Sequence, residues 1–297
     1  MSAPDPAPRG RAAEWARFLE LQNLGLNLPF ALAFLVLASK GVPSWTVVVL
    51  VVIAFVAARN AGHSFNRWAD RFLDAQNPRT RDRALAAGRT RPGVALGIAA
   101  ACGAVVVVVA YLLNPLAFAL APVALALVFG YSYTKRVSSL TTAFLGLVEA
   151  ITPAAVYVAV TGTLPLAVLL AVGGLLAWGT AFETVHSLGD LVSDRALGLF
   201  SIPVRWGVRR SVALVPVLHA VALGLLALFG IALGLRLPYF LALVAMAAVA
   251  AGGDVALARD PTATRGPFRR HFVTSALFLA GVLVAVFGPW GALPMGV

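Results

Sequence analysis

Apolar stretches long enough to cross a bilayer, about 20 residues each, follow one another along almost the whole of this chain. One such stretch would be an anchor. A series of them makes the protein a bundle of transmembrane helices and leaves little chain for anything else. We place nine, at about 22–39, 44–64, 92–112, 115–133, 140–161, 165–188, 211–233, 237–258 and 271–290. Proline and glycine mark the joints, as in Gly41-Val42-Pro43, Asn114-Pro115, Gly162-Thr163-Leu164-Pro165 and Leu237-Pro238. The composition agrees, with 60% hydrophobic residues and a mean hydropathy of +0.89, which no ordinary soluble domain of 297 residues shows. The expected fold class is all-α, a polytopic bundle at 22–290, between an N-terminal tail (1–21) and a short C-terminal tail (291–297).

Charge placement tests the helix count. With nine spans, of the 23 Lys and Arg only Lys40 and Arg236 fall on one side; the other 21 lie toward the opposite side, in the N-terminal tail, near the end of the second span (Arg59) or in the loops around 65–91, 134–139, 189–210 and 259–270. The positive-inside rule puts that basic side, and the N-terminus, in the cytoplasm of a bacterial-type inner membrane. The net charge of +11 therefore has a membrane explanation. Nothing resembles a helix-turn-helix or a base-stacking platform, so no nucleic-acid partner is expected. The first 20 residues carry Pro, Arg and Glu without an apolar core, so no signal peptide is expected there, and 24–37 reads as the first span. Cys102 is the only cysteine and lies in an apolar run, which excludes a disulfide framework or a cysteine metal site.

Against this background two acidic clusters stand out, because a carboxylate in hydrocarbon costs about 2.5–3.5 kcal/mol and by default marks function. The first is Asn66-x-x-x-Asp70-x-x-x-Asp74, the second Glu183, Asp190 and Asp194. Steps of four residues keep the first set on one helical face, and offsets of seven and eleven from Glu183 do the same for the second. Four spans separate the clusters, so both arrive at the same membrane surface. Oxygen donors one turn apart suit Mg²⁺, which keeps waters and phosphate oxygens in its shell. Two such faces imply two ions clamping a diphosphate. The bland reading of the first cluster is a solvated helix end whose acids pair with Arg67 and Arg71. Tyr131-Ser132-Tyr133-Thr134-Lys135-Arg136 ends the fourth span in the same plane, where Lys135 and Arg136 suit phosphate oxygens. Its bland reading is an interfacial anchor. Arg79, Arg81, Arg83 and Arg89 form a further basic loop.

The order and spacing of these pieces resemble the UbiA family of intramembrane aromatic prenyltransferases over roughly residues 20–290. The matching pieces are Asn66-x-x-x-Asp70-x-x-x-Asp74 with Asn77-Pro78-Arg79-Thr80, the Tyr131–Arg136 string, and Asp190-x-x-x-Asp194-Arg195-x-x-Gly198-Leu199-x-Ser201-Ile202-Pro203. The chain looks nearest to the 4-hydroxybenzoate polyprenyltransferase-like branch, which includes dihydroxynaphthoate prenylation on the futalosine route to menaquinone. The resemblance implies a nine-helix bundle whose cavity opens to the membrane and is capped by both acidic motifs. It implies one Mg²⁺ on Asn66, Asp70 and Asp74, a second on Asp190 and Asp194 with Glu183 nearby, and diphosphate held by Lys135, Arg136, Arg79 and Tyr131. The implied partners are a polyprenyl diphosphate, an aromatic acceptor and the lipid bilayer.

The chain departs from the family pattern at Glu183, where many relatives carry Asp, and at Gln22-Asn23, where relatives place charge or His. Both bear on the acceptor, for which Asn23, Glu149 and His186 are the candidates. Chlorin-type or glycerol phosphate acceptors, and a non-catalytic relative, are the alternatives. A transporter would place its acids near the midplane on paired broken helices. His63 and His219 read as structural, His271 as an interfacial anchor beside Arg269 and Arg270, and Asp254 as a partner for Arg259.

Overall fold

Backbone polar groups in hydrocarbon must be satisfied within the segment that carries them, so apolar spans fold as helices. In the computed structural model, which describes residues 10–19 and 24–289, the chain is helical throughout. The elements are α1 (Arg11–Phe18), α2 (Leu24–Ala38), α3 (Trp45–Gln76), α4 (Pro92–Leu113), α5 (Pro115–Thr134) and α6 (Thr141–Thr161). They continue with α7 (Leu166–Ala196), α8 (Ile202–Trp206), α9 (Val208–Ala232), α10 (Leu237–Arg259) and α11 (Arg265–Phe287). Eight of these are long and apolar enough to cross a membrane, and α2, with 15 residues, is a shorter apolar helix among them. Together they make the expected polytopic bundle. Large apolar side chains such as Val108, Tyr111, Val244 and Ile231 stand exposed on its outside, as a lipid-facing surface requires.

Two helices overrun their expected spans. The second and sixth spans, placed at 44–64 and 165–188, continue as helix to Gln76 and Ala196. At 32 and 31 residues α3 and α7 are about 48 and 46 Å long, well beyond the roughly 30 Å of hydrocarbon. Hydropathy falls where the acids begin, but the helical backbone does not stop there. Pro78 ends α3, since the residue before proline is pushed out of the α region, and Asn77 sits extended at φ −91°, ψ 120°. At the end of α7, Gly198 takes a left-handed φ of +65° and Leu199 N closes on Asp194 O. The remaining basic loop carries the short α8, and α9 and α11 begin earlier than expected, at Val208 and Arg265.

The Asn114-Pro115 joint works as the sequence suggested. Asn114 Oδ1 accepts from Ala117 N to cap α5, while its Nδ2 donates to Val158 O and Ala159 O of α6. One side chain thus closes the α4–α5 turn and pins it to a third helix. The main core joins α2, α6, α7, α9, α10 and α11 around Phe34, Phe229, Phe278, Tyr239 and Met246. A smaller one, through Ala57, Val106, Ala110 and Ala121, joins α3, α4 and α5.

His219 lies in the α7, α9–α11 half, its Nδ1 3.0 Å from Asp254 Oδ2. This corrects the expected Asp254–Arg259 pair: Asp254 turns inward from α10 instead of along its own helix. His271 is likewise not an interfacial anchor. It is buried against Trp178, Phe182 and His219, because it lies on the inward face of α11.

At the crossing of α6 on α7 the two backbones approach closely. A Cβ added at Gly146 would stand 2.7 Å from Thr180 N and 2.9 Å from Leu176 O, and one at Gly179 3.0 Å from Gly146 Cα. Small residues on both sides let the backbones touch. Gly146→Val should therefore destabilise the detergent-solubilised protein by about 1–3 kcal/mol, read as a lowered unfolding temperature. Gly97→Ala, which meets nothing within 4 Å, should leave it unchanged.

Candidate active site

Six helices, α2, α3, α5, α6, α7 and α11, surround a cavity of about 870 Å³. Its mouth lies where the overhanging ends of α3 and α7 stand, and the segment 77–91 and α1 close over it. Phe18 of α1 packs on Ala84, Leu85 and Ala95, under the Arg67 guanidinium 5.3 Å from its ring centre. Glu14 accepts from Arg89 Nε at 2.6 Å and ties the helix to that segment.

The mouth is a ring of four carboxylates, three of them met by cations. Asp70, 1% exposed, has Lys135 Nζ at 2.5 Å from Oδ2 and Arg136 Nη2 at 3.1 Å from Oδ1. Asn66 Nδ2 donates to Asp70 Oδ2 at 2.9 Å and reaches Ser132 Oγ at 3.4 Å. Asp74, one turn further, takes Arg83 Nη1 at 3.1 and 3.0 Å on its two oxygens. On α7, Asp190 receives both Arg79 Nε (2.7 Å) and Nη2 (2.6 Å), a two-pronged pair that ties the α3 side of the mouth to α7. Asp194, one turn on, has no side-chain hydrogen bond or ion pair among the described residues.

Deeper in, a second polar group forms on the walls. His186 Nδ1 lies 3.3 Å from Glu183 Oε2, and its Nε2 lies 3.9 Å from Asp190 Oδ2. Asn27 Nδ2 donates to Glu149 Oε1 at 3.4 Å across from α2. Arg59 of α3 lines the same chamber and acts on the Glu149 charge. Phe55, Val128, Leu145, Val148 and Phe182 supply apolar wall between these groups.

The sequence-predicted residues are thus largely brought together. Asn66, Asp70, Asp74, Arg79, Tyr131, Lys135, Glu149, Glu183, His186, Asp190 and Asp194 all line one cavity. Arg136 stands behind Asp70, also donating to Ala69 O at 2.6 Å, and so braces the carboxylate. Asn23 lies outside the described residues. Arg71 turns away from the acids to Trp68 O and the Trp68 and Phe72 rings.

Four contributors had gone unnamed as site residues. Arg83 belongs to a loop whose fold the sequence does not specify, and Asn27 sits in an otherwise apolar span. Arg59 carried a readable signal, a cation inside a span. Ser201 lines the cavity with a buried Oγ that has no hydrogen-bond partner among the described residues.

The donor set tests the fit of a divalent ion. Carboxylate and amide oxygens line the mouth and thiols do not, which suits a hard ion such as Mg²⁺. Among the described residues no three His, Cys, Asp or Glu converge closely enough to cage an ion alone. A bound ion would therefore need part of its shell from phosphate oxygens and water, with the carboxylate of Asp194 and the hydroxyl of Ser201 as further oxygen donors on the cavity wall.

Comparison with known proteins agrees with this geometry. Residues 27–276 match the model of the UbiA prenyltransferase family. A 4-hydroxybenzoate octaprenyltransferase of Cupriavidus metallidurans is 31% identical over 96% of this chain and 99% of its own length. One from Aromatoleum aromaticum is 33% identical over 85% and 86%. Among solved structures, the apo form of a UbiA homologue from Aeropyrum pernix superposes with TM-score 0.80 at 29% identity, covering 89% of this chain and 98% of that one. A UbiA homologue from Archaeoglobus fulgidus bound to GPP and Mg²⁺ shares the fold, with TM-score 0.75 at 18% identity over 92% and 99%.

Removing the Arg79 bridge should loosen the mouth. Hydrogen bonds to charged groups contribute about 1.5–3 kcal/mol, so Arg79→Gln should speed amide exchange in segment 77–91, measured by mass spectrometry, while α9 and α10 stay protected.

Proposed function

Because the chain belongs to the UbiA prenyltransferase family and is a membrane-embedded prenyltransferase, we propose that it moves a polyprenyl group from its diphosphate to a small aromatic carboxylate. The acceptor class is that of 4-hydroxybenzoate or a dihydroxynaphthoate, in quinone biosynthesis. The observation that carries this reading is the single cavity whose mouth holds four aspartates with their cations and whose inner walls are apolar between a few polar groups. The names of the curated relatives support the aromatic acceptor. The basic loops support a mouth at the cytoplasmic face of the membrane.

Asn66, Asp70 and Asp74 would hold one Mg²⁺ and Asp190 with Asp194 the other, with Glu183 behind them. Bound there, the metal supplies Lewis-acid stabilisation of the charge that develops on the leaving diphosphate. Lys135, Arg79 and Arg83 offer donors to its outer oxygens, Tyr131 and Ser201 offer hydroxyls, and Arg136 keeps Asp70 in place. Preorganised donors of this kind act most strongly where water is excluded. The apolar wall at Phe55, Val128, Leu145 and Phe182 keeps water from the allylic cation until a ring carbon of the acceptor attacks it. Arg59 would meet an acceptor carboxylate, and Glu149, His186 and Asn27, which line the same chamber, would orient its hydroxyl.

Membranes carrying the protein, given Mg²⁺, a labelled polyprenyl diphosphate and 4-hydroxybenzoate or a dihydroxynaphthoate, should yield a prenylated acceptor. Asp70→Asn and Asp190→Asn should each lower its rate at least about 100-fold, as losing a transition-state charge partner does, and EDTA should abolish it. Diphosphate release without prenylated product would shift the acceptor class, and metal-independent turnover would sink the reading. Arg59→Gln should raise the acceptor KM while leaving that of the diphosphate within about twofold, the mark of a lost ground-state contact.

A further inference from the structure

The mouth balances its own charge. Asp70, Asp74, Asp190 and Asp194 face Arg79, Arg83, Lys135 and Arg136. On two of the aspartates both carboxylate oxygens are engaged by a guanidinium, Asp190 by Arg79 at 2.7 and 2.6 Å and Asp74 by Arg83 at 3.1 and 3.0 Å. A guanidinium on both oxygens occupies a lone pair of each and sets its positive charge where a cation would approach, so it competes with a metal ion for that carboxylate. Dications arriving alone would also leave this balanced ring strongly positive, whereas a diphosphate brings compensating negative charge.

Both arginines come from one segment. Arg79 and Arg83 are four residues apart, in a stretch fastened at its near end by Thr80 Oγ1 donating to Asp74 O and at its far end by the Arg89–Glu14 pair. Their side chains stand at the opening, 28% and 27% exposed, so they can swing without the segment unfolding. Asp70 differs: at 1% exposed it is the most deeply buried of the four, and Lys135, Arg136 and Asn66 all hold it.

We propose that Arg79 and Arg83 gate the divalent cation, holding Asp190 and Asp74 until a diphosphate draws both guanidiniums onto its oxygens. Cation and diphosphate then load together, and neither binds well alone. This rests on the proposed reading of the mouth as a metal–diphosphate site and adds to it the residues that couple the two ligands. Linkage makes the coupling reciprocal, so the diphosphate tightens the cation by the factor by which the cation tightens the diphosphate.

Purified protein in detergent, titrated with Mn²⁺ in place of Mg²⁺ and followed by the electron paramagnetic resonance of the free ion, measures this directly. The titration is run with and without a non-ionising prenyl diphosphate analogue whose reacting oxygen is replaced by carbon. In the native sequence the analogue should tighten Mn²⁺ by about 10-fold or more, within the usual span of coupling between sites. In the double variant R79Q/R83Q, Mn²⁺ alone should bind about 10-fold tighter than in the native protein, and the analogue should add under about threefold. R79K/R83K keeps both charges but loses the two-pronged geometry of Arg79 and should fall between. It carries the test if the glutamine pair does not elute as a monodisperse protein. Equal Mn²⁺ affinity with and without analogue in the native protein would overturn the gate. So would coupling that persists undiminished in the variants, which leaves the site reading standing. No Mn²⁺ binding even with the analogue would overturn both.

Discussion

Carboxylates at the ends of apolar helices have to be met by cations, and here each meeting also fixes a piece of architecture. Lys135 on Asp70 joins α5 to α3, Arg83 on Asp74 folds segment 77–91 back onto α3, and Arg79 on Asp190 carries that segment across to α7. In each pair the carboxylate is largely buried but the cation stays 27–29% exposed, so part of the desolvation cost that makes buried pairs poor stabilisers is avoided. They also exceed ordinary surface bridges, because several act as one network and one is two-pronged. The ring that makes the site is the ring that closes the bundle at this end.

The geometry depends on helices that outrun the membrane. α3 and α7 each carry roughly three turns past the length that hydrocarbon demands, and those turns hold Asp70, Asp74, Asp190 and Asp194. Acids on a loop would need strain or extra partners to stay aligned; on a helix, four-residue spacing aligns them at no further cost. The terminators, Pro78 and the left-handed Gly198, then turn the chain sharply enough for 77–91 and 199–207 to fold back over the opening.

Much of this was legible in the sequence, for identifiable reasons. The run of apolar spans follows from hydropathy, which is a property of single segments. The acid faces follow from spacing alone. Helix ends past 64 and 188 were not legible from hydropathy, because polarity ends a membrane span without ending a helix. The partner of each acid was not legible either, since Arg67, Arg71, Arg79 and Arg83 are all near Asp70 or Asp74 in sequence and only the turn at Pro78 selects between them. His271 misled for a related reason. Its neighbours Arg269 and Arg270 suggest an interface, yet rotation of about 100° per residue puts the next side chain on the inward face.

α7 sets the dimensions of the site. Along one side it presents Gly179, Glu183, His186, Asp190 and Asp194, running from the crossing with α6 out to the mouth. Gly179 meets Gly146 backbone to backbone, so no side chain there can flex to absorb a shift in register. The position of Asp190 relative to α6 is therefore set by main-chain contact and a continuous helix of 11 residues, about 16 Å of rise from Gly179. A ring whose ion pairs are decided by tenths of an ångström needs such a rigid reference. The same crossing carries Glu149 against Gly179 and toward Asn27, so the outer charged ring and the inner polar group are held in register by one pair of glycines.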